Sequence, residues 1–149
     1  MRIAIAVLTF CFLVAAEPAA DAVKKDMALL EGQWAMVSAE RMGQPLPDDL
    51  VKGSKRVSKD GETTVSIGGS VFIKAKYTVD PSKKPKTIDY TLTEGTNKGK
   101  TQLGIYEIDG DTVKFCFGGP GDERPTDFTA KADSGRTLSV WKREPAKGK

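Results

Sequence analysis

The sequence predicts an all-β fold, an antiparallel meander closing into a barrel of about eight strands behind a short N-terminal helix. Three observations lead there. Apolar and polar residues alternate with a period of two through a series of short runs, the mark of half-buried strands. Strong turn signals separate the runs, among them Lys59-Asp60-Gly61, Gly68-Gly69, Asp80-Pro81-Ser82, Asn97-Lys98-Gly99, Asp109-Gly110-Asp111, Gly118-Gly119-Pro120-Gly121 and Asp133-Ser134-Gly135. No connection is long enough for the crossover helix that a parallel sheet requires.

Met1-Arg2 and the uncharged run Ile3 to Ala16 read as a secretory signal, since a run of 14 residues is shorter than the ~20 a membrane span needs. Small-x-small sites end at Ala16 and Ala22, and the second is favoured, which makes residues 1–22 the signal peptide. Their removal takes away Arg2, Glu17 and Asp21 and moves the formal charge from +3 to +4. It also removes Cys11, so Cys116 remains alone, with no internal partner for a disulfide, and is expected as a buried thiol. The remaining domain, residues 23–144, is large enough to bury roughly two thirds of its unfolded surface without such staples. Residues 145–149 are expected to form a basic, disordered tail. The expected location is therefore outside the cytoplasm, in the periplasm or beyond, with no stable membrane anchor.

Val23, Met27 and Leu30, with Lys24, Lys25 and Asp26 between them, fit about two helical turns that end at Gly32. A first strand runs from Gln33 to Glu40. Gln44 to Leu50 is a turn with one helical turn starting at Pro47. Further strands are expected at Lys55–Lys59, Glu62–Ile67, Val71–Val79, Thr87–Glu94, Thr101–Ile108, Thr112–Phe117, Thr126–Lys131 and Thr137–Arg143. Ile88, Tyr90 and Leu92 oppose Thr87, Asp89, Thr91 and Thr93, and Val113, Phe115 and Phe117 oppose Thr112, Lys114 and Cys116. The same division recurs in nearly every strand, so one continuous apolar interior is implied. A barrel or a two-sheet sandwich would supply it. Meander connections close a barrel simply and remove its exposed edges, which favours the barrel.

In an antiparallel barrel the first and last strands are neighbours, so Gly32-Gln33-Trp34 and Trp141-Lys142-Arg143 should meet. Gly32, Trp34, Lys142 and Arg143 are the expected closure residues, with a basic stem packed on the Trp34 indole for about 0.5–2 kcal/mol. A G-x-W before the first strand and a basic residue closing the last resemble the lipocalin or calycin pattern. A broader likeness spans Leu30 to Glu144. It is carried by Leu30-Glu31-Gly32-Gln33-Trp34, Gly43-Gln44-Pro45-Leu46-Pro47, the run Tyr77 to Asp89, Gly104 to Asp111 and Glu123-Arg124-Pro125-Thr126. These stretches resemble an uncharacterised exported lipocalin-like domain family abundant in planctomycete bacteria. The resemblance implies the barrel and the export, and it brings no activity, substrate or catalytic residue.

The chain has no histidine, which removes the Ser-His-Asp and Cys-His templates and the commonest metal ligand. Gly95 to Thr101 has one residue too few for a phosphate loop and joins two strands where a strand and a helix are required. Asp109-Gly110-Asp111 lacks the further oxygen ligands of a calcium loop and reads as a tight turn. One cysteine and no histidine make no zinc site. Ser82 beside Lys83 and Lys84 sits in an exposed turn, and the pairs Asp48/Asp49 and Asp122/Glu123 are turn neighbours, not acids facing across a cleft. No catalytic residue, metal or cofactor is therefore expected. Lys83, Lys84, Lys86, Lys98, Lys100, Lys142, Arg143, Lys147 and Lys149 form basic clusters, but the mature charge is small. Solubility accounts for them, and no nucleic-acid partner is expected.

Two functional readings remain open at this point. In one, the interior binds a small apolar or amphipathic ligand, with Tyr77, Tyr90, Tyr106, Phe115, Phe117 and Phe128 as its wall. In the other, the same side chains fill the barrel, and the loops Gln44–Asp49 and Gly118–Pro125 bind a protein or another envelope component. An interior volume of roughly 300 Å³ or more separates the two.

Overall fold

The computed structural model describes residues 18–145, so residues 1–17 of the expected signal, including Cys11, and residues 146–149 of the tail lie outside the described residues. Helix α1 (Pro18–Leu30) leads into β1 (Gly32–Arg41), β2 (Gln44–Pro45), α2 (Asp48–Lys52), β3 (Lys55–Lys59), β4 (Glu62–Ile67) and β5 (Ser70–Asp80). There follow β6 (Lys86–Leu92), β7 (Thr101–Asp109), β8 (Thr112–Phe117) and β9 (Thr137–Arg143). Each of β4 to β9 pairs antiparallel with its predecessor in chain order, and β3 pairs with β1. Closure comes from β1 and β9, in register from Trp34↔Arg143 to Arg41↔Thr137 with an irregularity between Met36 and Ser38. The result is a closed eight-stranded barrel, with β2 as an extra strand against the end of β1.

Alternation fixes what points inward. The buried interior row includes Trp34, Val65, Ala75, Ile88, Tyr90, Val113, Phe115 and Trp141. The barrel has two unlike ends. At one, Val23, Met27 and Leu30 of α1 pack onto the core, and α1 plugs the barrel floor. At the other, the turns after β4, β6 and β8 surround an open mouth.

The helical plug is fastened from the far end of the chain. The last carbonyls of a helix have no intrahelical donors, and the last turn of α1 carries no basic residue. Trp34 Nε1 donates to Leu30 O at 3.0 Å, while Arg143 Nη1 donates to Glu31 O at 2.7 Å and Arg143 Nη2 donates to Leu29 O. The Arg143 guanidinium also lies 4.2 Å above the Trp34 ring. Arg143 is thus the basic residue that packs on the indole, and Lys142 pairs with Ala35 on its backbone and leaves its side chain exposed. Gly32 sits at φ 114°, and a Cβ there would lie 3.0 Å from Arg143 Nη1. Asp26, on the inner face of α1, accepts from Tyr106 Oη at 2.7 Å and from Lys86 Nζ at 2.8 Å, which joins the plug to β6 and β7.

The structure departs from the expected elements at Gln44–Pro45, where the short strand β2 forms inside the expected turn, at the start of α1 and at Thr126–Lys131. Helix α1 begins at Pro18, not Val23, because Ala19, Ala20 and Ala22 are strong helix formers and Asp21 in the first turn suits the helix dipole. The favoured cleavage point after Ala22 therefore falls inside α1, whereas the one after Ala16 leaves it whole. Thr126–Lys131 is not a strand. β8 pairs directly with β9, so no ladder edge is left for it, and it belongs to the connection 118–136. That connection is anchored to the outside of the barrel. Arg124 donates to Gly104 O at 2.8 Å and pairs with Asp89 at 2.7 Å, and Pro125 is fully buried. Cys116 points away from the interior yet is buried, its Sγ 3.4 Å from Thr129 O of the connection. Burial pushes its thiol pKa up, so the thiolate is disfavoured.

Candidate functional site

The mouth of the barrel opens into a cup of about 540 Å³. Its apolar wall is built from alternate residues of the strands: Met36, Val65, Ile67, Ile73, Leu92 and Phe117. Arg56, Tyr90 and Trp141 lie deepest, and the rim is completed by Glu94 to Asn97, Gly119, Pro120 and Gly135. Phe72 and Val71 stand exposed where β5 meets its preceding turn, and Phe72 lines the mouth. The irregularity between Val65 and Ser66 in the pairing of β4 with β5 re-aims this corner.

A polar cluster forms the cup's floor inside an otherwise apolar barrel. Arg56 on β3 is only 5% exposed. Its Nη1 donates to Tyr90 Oη and, at 3.4 Å, to Thr63 Oγ1, which also shares a 2.8 Å hydrogen bond with Ser58 Oγ. The guanidinium lies 4.3 Å from the Phe115 ring centroid and 4.9 Å from that of Trp141. Arg56 Nε is buried without a hydrogen-bond partner among the described residues.

The wall residues expected from sequence divide by depth. Tyr90 and Phe117 line the cup, with their ring centroids 4.3 Å apart. Tyr77, Tyr106 and Phe115 are buried in the packed half below it and are not part of the cup's lining, with Tyr106 and Phe115 rings 6.5 Å apart and Tyr106 tied to the plug. Phe128 lies outside the barrel, in the 118–136 connection, where Lys114 Nζ sits 4.4 Å from its ring centroid. Its expected place on the interior wall requires a strand over Thr126–Lys131, and that strand does not form. Sequence reasoning passed over Arg56, the one charge buried in the cup floor. The signal was present in Lys55-Arg56-Val57-Ser58-Lys59: turning Val57 inward would bury two lysines, whereas turning Arg56 and Ser58 inward buries one charge.

The buried phenols make the fold sensitive to alkali. Burial pushes the Tyr77 hydroxyl up to about 12, and burial together with the bond to the Asp26 carboxylate raises Tyr106 as well. Both phenols are neutral in the fold. The unfolded chain releases these protons first, from about pH 10, so the stabilisation is whole below that pH and is lost as pH rises through the folded values. Urea midpoints measured from about pH 8 upward should fall most steeply between about 10 and 12. Tyr77→Phe should lessen that fall without lowering the midpoint at about pH 8, because the buried Tyr77 hydroxyl makes no hydrogen bond among the described residues. An alkaline fall as steep in Tyr77→Phe as in the wild type would remove Tyr77 from this account.

Among the described residues no helix is long and apolar enough to cross a membrane. The chain matches no family model, no curated protein and no solved structure.

Proposed function

We propose that this protein is an exported, non-enzymatic lipocalin-like barrel that holds a small apolar or amphipathic ligand in its cup. The cup carries the reading: about 540 Å³ lies within the roughly 300–1,000 Å³ range of small-molecule sites. Its wall is mainly apolar and has a few convergent polar groups at one end, the usual composition of a site that holds an amphiphile. Val71 and Phe72, exposed beside the mouth, offer an apolar surface past which a lipophile would enter. Export rests on the apolar run Ile3 to Ala16, and the absence of catalysis on the lack of histidine and of facing acids.

The loop-binding alternative is weaker at Gly118–Pro125, because Arg124 and Pro125 there are already committed to the barrel wall. The test is to produce the protein with its own signal in a bacterial host and compare native with denaturing mass spectra. These are followed by titration with a neutral fluorescent lipophile, read by energy transfer from Trp141, which lines the cup. An adduct lost on denaturation, or one probe taken up per chain, is the expected result. A bare chain that takes up no probe overturns the reading.

A further inference from the structure

We propose that the ligand is a single-chain amphiphile with a monoanionic carboxylate head, received at the cup floor by Arg56. This rests on the cup being a ligand site. An arginine does not give up its proton in a protein, so Arg56 carries its charge wherever it is buried. Buried charges are ordinarily paired. Yet none of the ion pairs formed among the described residues includes Arg56.

What Arg56 has instead leaves a gap of a definite shape. Phe115 and Trp141 lie within cation–π distance of the guanidinium and make no hydrogen bond with it. Tyr90 and Thr63 occupy Nη1 alone, and Nε has no partner among the described residues. A carboxylate accepts two parallel N–H bonds in the plane of the fork, which is the contact missing here. Tyr90 Oη accepts from Arg56, so its own hydrogen is available to the same head group.

Charge sets the valence and the wall sets the tail. Of the other charged residues around the cup, Lys74 and Glu94 are paired with each other at 3.0 Å near the mouth, and Arg41 is exposed there. One buried cation balances one negative charge, and a dianionic head would carry a second charge into the interior unbalanced. Between Arg56 and the mouth the wall is Val65, Ile73, Leu92 and Phe117, which suits an alkyl chain.

The experiment displaces a bound neutral lipophile, phenylnaphthylamine, with three ligands that share one chain, namely decanol, decanoate and decyl phosphate. Wild-type protein should bind decanoate at least about tenfold more tightly than decanol, and more tightly than decyl phosphate. Arg56→Gln should bring decanoate and decanol to within about threefold of each other. Arg41→Gln should keep the preference, and raised salt should weaken it little, because a pair on the floor is poorly screened. If wild type binds decanoate and decanol equally, the proposal fails and the cup reading stands. A preference for decyl phosphate, or one lost in Arg41→Gln, also overturns it. If the probe itself never binds, the cup reading fails. Should Arg56→Gln not fold, the wild-type ratios and the Arg41→Gln comparison decide the matter.

Discussion

Replacing Trp34 by alanine should lower the unfolding free energy by about 3–5 kcal/mol, a large share of the stability of a domain of this size. The side chain is 0% exposed, and its removal leaves a cavity between β1 and the helical plug. Three further effects add to the lost burial. Leu30 O loses its donor, Arg143 loses the ring beneath its guanidinium, and the carbonyls at the end of α1 are held less firmly. Trp34→Phe keeps an aromatic ring in the site but loses the N–H and part of the packed volume, so it should cost less, about 1–2 kcal/mol. Urea unfolding followed by circular dichroism, with the slope unchanged, would measure both. A loss in Trp34→Ala no larger than that in Trp34→Phe would mean that the plug is not held through this ring.

Gly104→Ala is expected to cost about 1–3 kcal/mol and to close the cup. Gly104 faces the interior directly across from Phe117, and a Cβ there would stand 2.5 Å from Phe117 Cδ1. The ring cannot yield sideways, since Tyr90 lies 4.3 Å and Phe115 5.9 Å from it, centroid to centroid. The free direction is into the cup that Phe117 lines. Gly104→Ala should therefore take up less of a neutral lipophile than wild type. A second change, Phe117→Leu, removes the clash, so the double variant should be more stable than the two single losses added together. Strict additivity would show that the glycine serves some purpose other than making room for the ring.

The barrel was legible because its strands are half-buried: period-two alternation and Asp-Gly or Gly-Gly turns mark each hairpin, and β3 to β9 fall close to where they place them. That Trp34 meets Lys142 or Arg143 followed from closure alone, and the structure selects Arg143. The misreadings share a physical origin. Thr126–Lys131 alternates like a strand, but alternation says only that one side is covered, and here the cover is the outer face of the barrel over Cys116 and Ile105. Phe128 went to the wrong side with it. Arg56 was hidden because hydrophobicity assigns a face by its apolar members, and in β3 the apolar Val57 is 48% exposed while the arginine is inside. A sequence shows which residues alternate. It does not show which row meets a cavity and which a packed core, so it could not place Tyr90 in the cup and Tyr77 below it.

The pairing of β1 with β9 has a kinetic consequence. The ladder that closes the barrel joins the two ends of the described domain, Trp34 with Arg143, so its loop-closure entropy is met last, after the local hairpins have formed. Until β9 is present the chain is an open sheet whose two free edges, β1 and β8, each invite pairing with another molecule. A nascent or threaded chain lacking its final strand is therefore both unfinished and adhesive. Folding to the native state has to wait for residues Thr137–Arg143, and the same residues end the period in which the chain is prone to aggregate.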